Sequence, residues 1–207
     1  MPEGRGRFIT LEGGDGAGKT TQSRRLAAAL SAAGRPVLRT REPGGSPGAE
    51  RIRALLLEGS GFDPVAEAML HFAARREHAV RTIWPALEAG ITVICDRFAD
   101  STLAYQGAGQ GLDRATWDVL RRAALGDFVP DLTLLMDVPI GIGQARALHR
   151  GAADRYEKLE AGFHERVRAA FLDIAAAEPE RCVMIDAARD ADAVFADAWR
   201  AVSGRTR

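Results

Sequence analysis

The eight residues Gly13-Gly14-Asp15-Gly16-Ala17-Gly18-Lys19-Thr20 constrain this chain more than any other feature. They fit the pattern G-x-x-x-x-G-K-[ST], in which glycines let successive backbone N–H groups turn inward around phosphate oxygens. The pattern carries that meaning only between a strand and a helix, and both are predicted here. Phe8–Glu12 is a short apolar run, and residues 20–33 place Leu26 and Leu30 one turn apart before stopping at Gly34. The helix adds the positive end of its dipole to the loop. Lys19 then reaches the β- and γ-phosphates of a nucleoside triphosphate, and the Thr20 hydroxyl binds Mg²⁺. Residues 13–20, with Thr21 behind them, form the expected triphosphate site.

The rest of the chain supplies the matching scaffold. Runs at Phe8–Glu12, 37–40, 91–95, Leu132–Asp137 and 182–185 read as five strands, most of them nearly continuous in apolar residues. That is how strands look when both faces of a parallel sheet are covered. Helical patterns lie between them. Asp63 and Pro64 make a strong helix start, and the helix they open is expected to run toward Gly90 with a kink before Pro85. Asp113 caps a further helix, and residues 158–177 and 190–202 also read as helical. Strands alternating with helices predict an α/β fold, a doubly wound five-stranded parallel sheet in one domain spanning residues 1–207. The least regular stretches are 41–48, 106–111 and 149–155, and the last is a candidate lid.

Charge narrows the function. Lys and Arg number 28 and Asp and Glu 28, so the net charge is zero. A general binder of nucleic acid or of a membrane surface would carry a basic excess. An anionic ligand must be held by local arginines, because the only lysines are Lys19 and Lys158. Cys95 and Cys182 sit in apolar runs and read as buried thiols of a reduced compartment. The N-terminal residues lack an apolar core of signal-peptide length, so a cytoplasmic location is expected. A guanine-reading switch would need Asn-Lys-x-Asp, and the chain contains no asparagine. Its length suits a small-molecule kinase rather than a motor or transporter.

Several further segments share one likeness. Residues 8–16, Thr40-Arg41-Glu42-Pro43-Gly44-Gly45, Cys95-Asp96-Arg97-Phe98 and Ser101-Thr102-Leu103-Ala104-Tyr105-Gln106-Gly107 resemble bacterial thymidylate kinase, as do Asp154-Arg155-Tyr156-Glu157 and Phe163-His164-Glu165. The resemblance implies γ-phosphoryl transfer from Mg·ATP to dTMP. The nearest alternative is a kinase for another nucleoside monophosphate or a deoxynucleoside, and a P-loop switch is more distant. It also implies a homodimer in which the helix from Asp63 packs across a two-fold axis, with no nucleic-acid or membrane partner.

Carried over residue by residue, the resemblance sets out a site. Asp15 falls to the acceptor's 3′-hydroxyl and the metal's surroundings, and Arg97 bridges acceptor and donor phosphates. Asp96, at a strand end, orients Mg²⁺ through water. Arg41 and Arg53 are placed to hold the acceptor phosphate, with Pro43 a rigid wall for the base. The segment after Pro43 departs from the family, since its glycine, Gly48, comes one position early. Arg75 falls on the arginine that hydrogen-bonds thymine. The stacking ring lies four residues earlier, at His71 rather than the family's Phe, with Phe72 next to it. Either ring fits the reading. Thr102, Tyr105 and Gln106 match positions near the base and sugar, where a ring beneath the sugar favours deoxyribose. Residues 144–157 resemble the lid, whose Arg146, Arg150 and Arg155 are expected to stabilise the moving charge, with Glu157 ordering it. Leu148 stands where a further arginine is common.

Overall fold

The computed structural model describes residues 4–58, 61–149, 155–156 and 159–204. Its centre is a five-stranded parallel sheet ordered β2-β3-β1-β4-β5. The strands are β1 (Phe8–Glu12), β2 (Val37–Arg41), β3 (Thr92–Asp96), β4 (Leu132–Asp137) and β5 (Cys182–Asp186). All five residues of β1 and of β3 are buried, as the apolar runs predict for strands covered on both faces. Successive residues feed opposite cores. Phe8, Val93 and Cys95 pack with Phe72, Ile83 and Trp117 on one face. Ile9, Leu11 and Ile94 pack with Leu26, Leu30 and Val194 on the other. The chain visits one side of β1 for β2 and β3 and the other for β4 and β5. That topology opens a crevice at the carboxyl end of β1, where the phosphate loop begins.

The helices follow local chemistry. Helix α1 (Lys19–Ala32) starts at Gly18, whose φ of 84° is left-handed, and runs into the turn at Gly34. Helix α2 (Pro47–Leu57) is capped by Ser46, whose side chain accepts from Ala49 N, and α3 (Pro64–His78) by Asp63, which accepts from Val65 N and Ala66 N. Beyond α3 the backbone passes through a π turn, Ala79–Ile83, into α4 (Trp84–Glu88). The interruption expected before Pro85 thus takes the form of a wider turn, where the missing Pro85 N–H would otherwise break the ladder.

One stretch differs from its sequence reading. Residues 106–111 look like a loop, but α5 (Ala99–Thr102) continues into a π segment, Leu103–Gly109, so Gln106 lies on helical backbone. Then come α6 (Arg114–Leu125), capped by Asp113, α7 (Ile140–Leu148), α8 (Ala161–Ala177) and α9 (Ala191–Gly204). Residues 144–148 of the expected lid are therefore the end of α7. Arg150 and Glu157 lie outside the described residues. No helix among the described residues is long and apolar enough to cross a membrane.

Candidate active site

The phosphate loop leaves β1 and closes onto α1. Lys19 Nζ donates to the carbonyls of Gly13 and Gly14, at 2.9 and 2.6 Å, so the loop curls around its own lysine. Burial first, and then the positive Arg97, lower the Lys19 pKa to about 8. Thr20 Oγ1 donates to Asp96 Oδ2 across 2.6 Å, joining the start of α1 to the end of β3. These are hard oxygen donors beside an ammonium, a set that suits Mg²⁺ rather than a softer ion. Gly16 meets α7 backbone to backbone, and a Cβ there would lie 1.9 Å from the Gly143 carbonyl oxygen.

The turn after β3 brings an arginine over the loop. Arg97 is the one non-glycine residue with positive φ, 71°, among the described residues, a conformation that costs about 1–3 kcal/mol and persists only where its surroundings enforce it. Its Nη1 donates to Gly13 O at 2.9 Å, and its Nη2 to Asp15 Oδ1 at 2.5 Å and Tyr105 Oη at 3.0 Å. Tyr105 in turn donates to Asp15 Oδ2 at 2.8 Å. Burial alone would raise the Asp15 pKa. The charges of Arg97 and Lys19 outweigh it and hold the carboxyl below its ordinary value.

A cleft of about 470 Å³ runs from this loop toward α3. Asp15, Gly16, Gly18, Lys19, Thr20 and Thr21 border it at one end. Arg41, Pro43 and Arg53 form one wall, where both arginines donate to the Pro43 carbonyl at 2.8 Å. His71, Arg75, Thr102, Tyr105 and Gln106 lie along the rest. Gly13 and Gly14 face a second cavity, of about 290 Å³, between α7 and α8.

Arg75 is almost wholly buried. Its Nε donates to Glu42 Oε2 at 2.7 Å, and its Nη2 to Phe98 O at 2.9 Å and Thr102 Oγ1 at 3.1 Å. Its Nη1 has no partner among the described residues. A buried guanidinium N–H left open beside a cleft is a hydrogen-bond donor waiting for an acceptor.

Two expected positions lie away from the cleft, and a third borders it while engaged with another loop. Phe72 does not border the cleft. It packs edge-on against Trp117 in the core beneath α6, so of the two candidate rings only His71 borders the cleft. Arg155 does not reach the phosphate loop. Its Nη2 donates to Glu67 Oε2 at 2.5 Å, and its guanidinium lies over Tyr156. Arg146 borders the cleft but holds the loop after β5, donating to Ala187 O at 2.6 Å and Ala188 O at 3.0 Å.

Sequence reading missed Glu67, Tyr156 and Glu42. Glu67 Oε1 accepts from Gln106 Nε2 at 2.9 Å, Gln110 Nε2 at 2.8 Å and Tyr156 Oη at 2.9 Å. Tyr156 Oη also lies 3.2 Å from His71 Nε2. Burial would push the Glu67 pKa up, but these donors and Arg155 hold it below the ordinary carboxylate value. Glu42 joins Arg75 to His78 Nδ1, at 3.0 Å. No motif marks these residues. Glu42 and Tyr156 sit inside segments that carry the resemblance without having been assigned a role, and Glu67 lies outside them.

Comparison with known proteins agrees with this geometry. The family model described as thymidylate kinase matches residues 11–198. A thymidylate kinase of Caulobacter vibrioides is 54% identical over 193 residues, covering 92% of this chain and 93% of that protein. One from Nitrobacter hamburgensis is 51% identical over 206 residues, covering 97% and 90%. The solved thymidylate kinase of Ehrlichia chaffeensis superposes with a TM-score of 0.78 at 39% identity, covering 96% of this chain and 99% of that one. With a phosphate loop, an arginine above it and a cleft leading away, the chain belongs to the thymidylate kinase family and is a kinase.

Proposed function

We propose that the chain transfers the γ-phosphoryl group of Mg·ATP to dTMP, giving dTDP and ADP. The observation that carries this reading is the placement of Arg97 and Asp15 beside the phosphate loop, at the head of a cleft that Arg75 also borders. ATP lies on residues 13–21 with its phosphates at Lys19. Thr20 directly, and Asp96 through water, would hold Mg²⁺, which when bound neutralises charge on the phosphates. Arg41 and Arg53 hold the acceptor phosphate, and Arg97 lies between acceptor and donor.

Thymine fills the far end. Arg75 Nη1 donates to a base carbonyl, with Thr102 and Gln106 on the pyrimidine edge and Pro43 as a wall. His71 stacks on the ring. Burial keeps its imidazole neutral, with a pKa near 3, so it offers a π face without a competing charge. Tyr105 closes the space beneath the sugar and disfavours a 2′-hydroxyl. Asp15 accepts from the 3′-hydroxyl. The reaction needs alignment and charge more than covalent help. In the conformation described, that charge comes from Lys19 and Arg97. The lid reading for residues 144–157 rests on Arg150 and on release of Arg155 from Glu67. We place the enzyme in the cytoplasm, where its nucleotide substrates occur and where Cys95 and Cys182, both free and buried, stay reduced.

The deciding experiment measures ADP release against a panel of monophosphates. The expected result is turnover with dTMP well above UMP, CMP and AMP, and equal rates would overturn the specificity. In the same assay Arg97→Ala should lower kcat by about 10²–10³-fold while the fold survives. Near-normal turnover would remove Arg97 from the mechanism.

A further inference from the structure

We propose that Glu12 is a positioning residue for Arg97: its carboxylate fixes the turn after β3 so that the guanidinium sits over the phosphate loop. The inference rests on Arg97 as the arginine between the two phosphates. Glu12 is the last residue of β1 and has no exposed surface. A carboxylate withdrawn completely from water needs partners that justify it. It has two, and both belong to the segment that follows β3. Oε1 accepts from Phe98 N at 2.7 Å, and Oε2 accepts from Ser101 Oγ at 2.5 Å. The same Ser101 oxygen accepts from Arg97 Nη1 at 3.2 Å.

This arrangement accounts for the unusual Arg97 backbone. Its left-handed φ is fixed from both sides, by Arg97 N donating to Leu11 O at 2.9 Å and by Phe98 N donating to Glu12. Glu12 thus holds the turn through the backbone and the guanidinium through Ser101. Nη1 then divides between Ser101 Oγ and Gly13 O, the carbonyl that also receives Lys19. Glutamine has nearly the same shape but only one acceptor oxygen. Its amide N–H would face the Ser101 oxygen, which must then accept from residue 12 as well as from Arg97 Nη1 instead of donating, so the arm that steadies the guanidinium is weakened.

The surroundings of this carboxyl also favour its protonated form. Burial first, and then the Asp100 charge, raise the Glu12 pKa to about 7, against the opposing pull of Ser101, Arg97 and Phe98. Asp100 is itself held by Arg181, the residue before β5. Among the described residues, Glu12 also interacts with Lys19 from α1, Cys95 from β3 and Cys182 from β5, and it shares Arg97 with Asp96. A protonated Glu12 can no longer accept with both oxygens.

The test compares kcat and KM for ATP and dTMP in the chain carrying Glu12→Gln, Ser101→Ala or Arg97→Ala, and Glu12→Gln or Ser101→Ala each combined with Arg97→Ala, across neutral pH. Glu12→Gln is expected to lower kcat by about 10- to 100-fold, the effect of a misplaced catalytic group. The KM for ATP should change little, and the acidic limb near pH 7 should disappear. In the Arg97→Ala background the same substitution should cost almost nothing more, because it acts through the missing arginine. Additive losses, or a normal kcat in Glu12→Gln, would overturn the inference. Should Glu12→Gln fail to fold, Ser101→Ala decides: a lowered kcat that vanishes without Arg97 supports the relay, and an unchanged kcat ends it. If Arg97→Ala itself turns over normally, the reading of Arg97 fails. If Arg97→Ala is crippled while both partner variants are normal, only the Glu12 inference falls.

Discussion

His71 keeps a neutral imidazole in a buried wall, and this has a thermodynamic signature. Burial, and after it the Arg75 charge, lower its pKa from 6.5 to about 3. Between those values the unfolded chain holds a proton that the folded chain does not. Stability from this residue is therefore complete above pH 6.5 and falls as pH drops toward 3. One pH unit below the imidazole's ordinary value the loss is about 1 kcal/mol. His71→Phe should remove that acid sensitivity, which urea unfolding at a series of pH values would reveal. Parallel curves for the two proteins would contradict it. Glu12 tilts the other way. Its pKa is raised from 4.5 to about 7, so its proton-linked stability is full below 4.5 and is lost as pH rises through 7. Glu12→Gln should flatten the neutral side of the curve and His71→Phe the acidic side.

Between elements, Glu67 is the principal polar junction of the substrate cleft. It joins α3 to the π segment through Gln106, to its end through Gln110, and to residues 155–156 through Arg155 and Tyr156. Replacing it by alanine leaves a part-buried arginine without its counter-ion, a loss of about 3–5 kcal/mol. Urea titration of Glu67→Ala should show this, and the KM for dTMP should rise more than that for ATP, because Gln106 and His71 border the part of the cleft that we assign to the acceptor. A shift in both KM values alike would place the junction elsewhere. None of this was legible in the sequence. The side-chain donors to Glu67 stand 39 to 89 residues away, and a glutamate on a helix reads by default as solvated. The phosphate loop, the strands and the Asp63 and Asp113 caps were legible, since each depends on neighbours within a few residues. Phe72 and His71 differ by about 100° around one helix. Only the packing of α6 with Trp117 decides which faces the cleft. Gln106 read as loop because Gly107 and Gly109 dilute the helical pattern, and a π segment has no period that marks it.

For the whole molecule, α2 and α3 leave Leu55 and Met69 about half exposed, and Phe62 and Val65 are exposed as well. We expect this face to pair two copies, in line with the homodimer that the resemblance implies. Met69→Glu should then shift the mass measured by light scattering from dimer to monomer. A wild-type chain already monomeric at working concentration would dispose of the idea. The Gly16–Gly143 contact reaches further still. Two backbones touch there with no room for a methyl group, so the loop cannot swell without displacing the helix. Gly143→Ala, at an overpacking cost of about 1–3 kcal/mol, should weaken calorimetric ATP binding about tenfold, and unchanged affinity would reveal slack. Without slack, α7 becomes a lever whose fulcrum is the phosphate loop. A triphosphate arriving at one end should then be felt three residues along, where Arg146 grips the loop after β5.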